Sequence, residues 1–123
     1  MSIIGIGTDL CRVERITELL SKSGEALPQR LLTSNERTQL QKEPSPNWLA
    51  KRWAAKEAVA KALGTGIGSS LSFQDIQITK TEANQPIVTL LGEAATRWPD
   101  VRLHISISDD GDYAMASVAA EQA

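Results

Sequence analysis

Glu57 and Lys61 lie four residues apart in the run "RWAAKEAVAKALGTGIG", Arg52 to Gly68, where alanines surround the charges and three alternate glycines follow. At about 100° per residue the two share a helical sector with Ala50, Ala54 and Ala58, a face of small side chains that admits close approach. A second carboxylate, Asp9, follows Gly5 and Gly7 near the start of the sequence. Together Asp9 and Glu57 would make a sparse oxygen set suited to Mg²⁺, which keeps waters and takes other ligands from substrate phosphates. Each residue also has a plainer explanation, Asp9 as a helix cap and Glu57 with Lys61 as an i,i+4 surface pair. Arg52 and Lys56 project into the opposite, apolar sector with Trp48, Leu49, Trp53, Val59 and Leu63. Each must snorkel to water or meet an anion.

Gly64, Gly66 and Gly68 make a loop whose amides can approach phosphate oxygens, although no Walker lysine is present and no helix opens at the loop. In "VRLHISIS", Val101, Leu103, Ile105 and Ile107 alternate with Arg102, His104, Ser106 and Ser108, which puts His104, the only histidine, and Ser106 on the polar face. Cys11 has no basic neighbour except Arg12 and reads as a quiet thiol. Trp48 and Trp53 read as core.

Several elements must position these groups. "SIIGIG" predicts a strand, Ser2 to Ile6, then a tight turn at Gly7. A helix follows from Leu10, with Thr8 or Asp9 as N-cap, and ends near Lys22 before Gly24. "TSNE", Thr33 to Glu36, is a capping box and predicts a short helix over Asn35 to Lys42. Ser45 and Pro46 open a long helix to Leu63, with Gly64 as its left-handed terminator. Two hairpins follow: Ile76 and Ile78 with "PIVTLL" across a turn at Ala83 to Gln85, and "VRLHISIS" with "YAMASVA" joined by Asp109, Asp110 and Gly111. A short helix, Glu93 to Arg97, separates them. This order predicts a single α+β domain over residues 1–123, an antiparallel sheet packed on a long central helix.

Composition narrows the function classes. The chain has 123 residues and a net charge of −2, so no global field draws it to nucleic acid or an anionic membrane. Three Trp, one Tyr and one Phe leave few rings for stacking bases. No apolar run approaches the roughly 18 residues needed to span a bilayer. The single cysteine and the absence of a basic n-region fit a reducing cytoplasm.

Two separated blocks, "GIGTDLCRVERI" (residues 5–16) and "WAAKEAVAKALGTGI" (residues 53–67), closely resemble the holo-[acyl-carrier-protein] synthases, small bacterial 4′-phosphopantetheinyl transferases. "RLLTSNE", "LAKRW", "PIVTLLGEA" and "LHISISDDGDYAMASV" extend the resemblance over essentially the whole chain in the family's order. It implies a phosphopantetheinyl transferase-like fold and transfer of 4′-phosphopantetheine from coenzyme A to a serine of apo acyl carrier protein, releasing adenosine 3′,5′-bisphosphate, in fatty acid biosynthesis. It also implies Mg²⁺ and a homotrimer with active sites at subunit interfaces. By motif the metal carboxylates fall on Asp9 and Glu57, and Lys61 falls on the pyrophosphate. Gly64, Gly66, His104 and Ser106 would border the nucleotide. The serine's base lies between Glu36 and a metal-bound hydroxide, and Glu36 already has the capping box to explain it. Arg15 and Lys22, on the exposed side of the first helix, offer cations to an acidic carrier, diluted by Glu14 and Glu18. Arg12 and Asp109 depart from the family pattern, Asp109 standing where many relatives have histidine. The competing function is an inactive coenzyme A-binding or assembly module of the same fold.

Overall fold

Residues 1–40 and 42–123 are described by a computed structural model. The central helix starts as its sequence demands: the Ser45 hydroxyl accepts from the Trp48 amide at 3.1 Å, and Pro46 fills the first turn, where no amide is needed. The chain order is β1 (Ser2–Arg12), α1 (Val13–Ser23), α2 (Ala26–Leu31), α3 (Ser34–Thr38), α4 (Pro46–Ala62), β2 (Ile76–Lys80), β3 (Pro86–Leu90), α5 (Gly92–Arg97), β4 (Val101–Asp110) and β5 (Tyr113–Gln122). One antiparallel sheet has the order β1-β5-β4, and β2 pairs with β3 in a second. The α+β expectation is correct, and α4 lies against the three-stranded sheet as its central helix.

The first strand is longer than its sequence suggests. Instead of turning at Gly7 and becoming helical at Leu10, β1 continues to Arg12, paired with β5 in register Gly7↔Val118, Asp9↔Ala116 and Cys11↔Ala114. Helix α1 begins only at Val13, and its N-cap residue, Arg12, makes no side-chain capping bond, so neither Thr8 nor Asp9 is a cap. The two glycines serve contact with α4. A Cβ on Gly5 would lie 1.8 Å from the Ala62 carbonyl oxygen, and one on Gly7 would lie 2.0 Å from that of Ala58. Bare strand therefore rests on bare helix, and the three-and-four spacing beginning at Leu10 is helical only from Val13.

Helix α2, with Pro28 inside it, has no counterpart in the sequence reading. The proline sits in the first turn, where it is tolerated, and Leu27, Pro28 and Leu31 are buried. The capping box is formed as expected: Thr33 N–H donates to Glu36 Oε1 at 2.8 Å, and Glu36 N–H to Thr33 Oγ1 at 3.1 Å. Its helix is shorter than Asn35 to Lys42, ending at Thr38, and Gln41 lies outside the described residues. In the final hairpin Asp109 and Asp110 stay in β4, and the turn is Gly111 and Asp112.

Charge inside the apolar sector of α4 is buried, not snorkelled. Lys56 is fully buried, and its Nζ donates to Glu36 Oε1 at 2.7 Å, Leu31 O at 2.7 Å and Phe73 O at 3.1 Å. Glu36 Oε2 accepts from the Ile78 amide at 2.7 Å, so this one carboxylate joins α3, α4 and β2. Burial pulls the Lys56 ammonium below its ordinary pKa while Glu36 opposes the shift. Because Glu36 is buried and fully engaged, it is not positioned as a general base.

Candidate active site

Because β1 remains extended, alternation turns Gly7, Asp9 and Cys11 to the α4 side of the sheet. Lys61, in the last turn of α4, reaches back to it. Its Nζ donates to the Thr8 carbonyl at 2.9 Å and to Asp9 Oδ1 at 3.2 Å. The surface pair expected within the helix is thus replaced by one across elements. Glu57, one turn earlier, is half-buried. Burial first, and then the negative charge of Asp9, push its carboxyl above the ordinary pKa, while Lys61, Arg15 and Arg30 draw it down. The structure brings Asp9, Glu57 and Lys61 together.

This donor set suits a hard divalent cation. The Glu57 carboxyl feels the negative charge of Asp9, a condition that added positive charge relieves. Among the described residues no group of three or more His, Cys, Asp or Glu forms a cage. A cation here would therefore complete its shell with water and substrate oxygens, as Mg²⁺ does. Buried Cys11 lies nearby, its thiol pushed up chiefly by burial, in keeping with a quiet thiol.

Glu57 also lines a cleft of about 550 Å³ between α1, α2 and α4. Leu19, Ala26, Leu27, Trp53, Ile67 and Phe73 form its apolar part. Arg15 lies over the Trp53 ring at 5.1 Å and Arg30 over Phe73 at 5.5 Å, giving the cleft two cations. Lys22 is exposed but does not line it, and Arg30 is the cation that sequence reasoning missed along with α2. The Gln74 amide holds the end of α2, donating to the carbonyls of Gln29, Arg30 and Leu32 at 2.8, 3.0 and 2.6 Å. No local pattern announced that link across more than forty residues.

The glycine loop is open but its amides are engaged. Gly64 N–H donates to Lys61 O at 3.0 Å and Gly66 N–H to Ala60 O at 3.2 Å, finishing the helix. What Gly64 and Gly66 offer a ligand is clearance, since nothing lies within 4 Å of a Cβ added at either. His104 and Ser106 are not brought to Glu57. Opposite them on β5 stand Ala119 and Ser117, whereas the residues facing α4 are Leu103, Ile105 and Ile107 with Val118 and Ala120. His104 and Ser106 thus occupy the far face of the sheet, in a depression of about 430 Å³ with Gln85 and Pro86. His104 Nε2 lies 3.1 Å from Glu121 Oε1.

A family model for the 4′-phosphopantetheinyl transferase superfamily matches residues 5–118. The chain belongs to that superfamily. Within it, the chain is 42% identical to the holo-[acyl-carrier-protein] synthase of Vibrio cholerae, over 98% of each chain. The crystal structure of the holo-[acyl-carrier-protein] synthase of Neisseria meningitidis is 40% identical and superposes with a TM-score of 0.89, covering 98% of this chain and 100% of that one. That of Helicobacter pylori, solved in complex with coenzyme A, is 34% identical with a TM-score of 0.84, covering 94% of this chain and 99% of that one. The fold is therefore that of the phosphopantetheinyl transferases, and the chain is an enzyme of the holo-[acyl-carrier-protein] synthase type, transferring 4′-phosphopantetheine from coenzyme A to apo acyl carrier protein. An inactive module of the same fold is not favoured.

Proposed function

We propose that Asp9, Glu57 and Lys61 carry this transfer, with Asp9 and Glu57 as the carboxylates for Mg²⁺. The observation that supports it is the Lys61 ammonium bridging from α4 to Asp9 beside a carboxyl whose proton affinity is raised. In the reaction a serine hydroxyl oxygen bonds to the β-phosphorus of coenzyme A, the bond from that phosphorus to the bridging oxygen breaks to release adenosine 3′,5′-bisphosphate, and the hydroxyl proton passes to water. When bound, Mg²⁺ supplies positive charge for the pyrophosphate oxygens. Lys61, half-exposed, is free to exchange Asp9 for phosphate oxygens and to stabilise charge developing on the leaving group. Incubation with apo carrier protein, coenzyme A and Mg²⁺, followed by intact mass, tests the reading: the carrier gains one phosphopantetheine, and no gain refutes it. Lys61→Ala should lower single-turnover rate by about 100-fold with little change in carrier affinity. An unchanged rate would reduce Lys61 to a structural partner of Asp9.

The cleft leading to Glu57 is the proposed seat of the carrier, since its apolar part accepts a helix face and Arg15 and Arg30 match an acidic partner. Arg15→Glu with Arg30→Glu should raise the carrier KM at least about tenfold and flatten its salt dependence, with coenzyme A binding retained. Equal losses for both substrates would remove the docking role.

The homotrimer is part of the same proposal. His104 and Ser106 sit on a sheet face that also exposes Ile6 (73%), Leu10 (61%), Tyr113 (44%) and Met115 (39%), an apolar surface suited to a second copy. A copy against this face would let His104 and Ser106 of one subunit border the nucleotide held by Lys61 and the Gly64–Gly66 loop of another. Light scattering should give a trimer. Mixing Glu57→Gln with His104→Ala protein, each weakly active alone, should restore activity through hybrid sites, and a mixture no better than its parts would sink the shared site. Among the described residues no helix is long and apolar enough to cross a membrane, and cytoplasmic residence is proposed with the function.

A further inference from the structure

Arg52, like Lys56 and Glu36, is a buried charge that the proposed chemistry does not use, but unlike those two its surroundings leave it incomplete. The residue is 94% buried, with 6% of its surface exposed, and the guanidinium carbon lies 4.1 Å from the centre of the Trp48 ring. Stacking engages the face of a guanidinium and leaves its N–H edge to find acceptors. On that edge Nε is buried without a hydrogen-bond partner among the described residues. The nearest buried anion, Glu36, is already committed to Lys56 and to the amides of Thr33 and Ile78. Two buried cations thus share one carboxylate, and one positive charge remains in excess.

Arg52 lines a cavity of about 270 Å³ between α3, α4 and β2, together with Gln39, Trp48, Thr79, Lys80 and Glu36, whose carboxylate is held by Lys56 and two backbone amides. A second cation, Lys80, stands exposed at the end of β2. The cavity shares no lining residue with the cleft that contains Glu57, and Arg52 lies about 140° around α4 from Glu57. We propose that this cavity is a binding site for a small oxyanion of the phosphate type, held by the N–H edge of Arg52 and by Lys80. The volume admits a small ion or a compact phosphomonoester. Paired oxygens match the guanidinium fork, and an anion here would supply the charge that Glu36 cannot. The site is separate from the transfer site and does not depend on its assignment.

The test titrates the full chain with inorganic phosphate at constant ionic strength, following the Trp48 indole by NMR. Saturable shifts at Trp48 are expected in the wild type and, unchanged, in Lys61→Ala, which is altered only at the transfer site. Arg52→Gln should weaken phosphate by about ten- to a hundredfold. Should Arg52→Gln fail to fold, Arg52→Lys keeps the charge without the fork and Lys80→Ala changes only an exposed residue, and each should still weaken phosphate several-fold. Absence of a phosphate-dependent shift, an equal shift with chloride, or binding lost in Lys61→Ala but kept in Lys80→Ala would overturn the proposal.

Discussion

Glu57→Gln is expected to lower transfer by more than about 100-fold, because it removes one charge from a two-carboxylate set at nearly constant shape. The same variant should not be less stable. In the folded protein burial and then Asp9 raise the Glu57 pKa above its ordinary value of 4.5. A raised pKa contributes stability that is complete below the unfolded value and is lost as pH rises through the folded one. At pH 7 without metal, the wild type therefore carries a desolvated charge that glutamine does not. The variant should melt at a slightly higher temperature than wild type at pH 7, and the two should converge as pH falls below about 4.5. Mg²⁺ should raise the wild-type midpoint and leave the variant's unchanged. Thermal melts across pH, alongside intact-mass activity, check both parts. A lower midpoint at pH 7 would make Glu57 a structural residue.

The largest stability loss is expected from Glu36→Gln. Its carboxylate is the ion-pair partner of buried Lys56 among the described residues, its charge also acts on Arg52, and it accepts two backbone amides from separate elements. Removing one member of a buried pair leaves the other uncompensated, at a cost of about 3–5 kcal/mol. Urea unfolding should show that loss, and adding Lys56→Met should recover part of it, since the double change removes both charges. Protein of Glu36→Gln that remains folded at low temperature should retain the wild-type pH dependence of transfer. A lost acidic limb in that profile would return Glu36 to the reaction as its base. A stability change below about 1 kcal/mol would show that the buried network is not what joins α3, α4 and β2.

The sequence by itself determined the local events. Ser45 with Pro46 and Thr33 with Glu36 placed two helix starts, because capping is satisfied by atoms within four residues. Alternation in Val101 to Ser108 correctly put His104 and Ser106 on the polar face, because side-chain direction in a strand follows from backbone pleating alone. Asp9, Glu57 and Lys61 were singled out by the family resemblance of two motif blocks, since spacing alone left each a plainer explanation. Tertiary structure decided where those residues meet. Gly5 and Gly7 resemble a turn until α4 lies against them, and only that contact keeps β1 extended so that Asp9 faces Lys61 and not the start of a helix. The segment around Pro28 carries no helix signal of its own; burial of Leu27 and Leu31 is what makes α2 worthwhile, and with α2 came Arg30. Whether Arg52 and Lys56 would snorkel or be buried also lay beyond local pattern, since the anion that answers Lys56 is Glu36, twenty residues away, and the cavity beside Arg52 exists only once α3, α4 and β2 have packed. Capping and pleating are properties of a few adjacent residues, whereas burial and charge pairing depend on which distant surfaces the whole chain brings into contact.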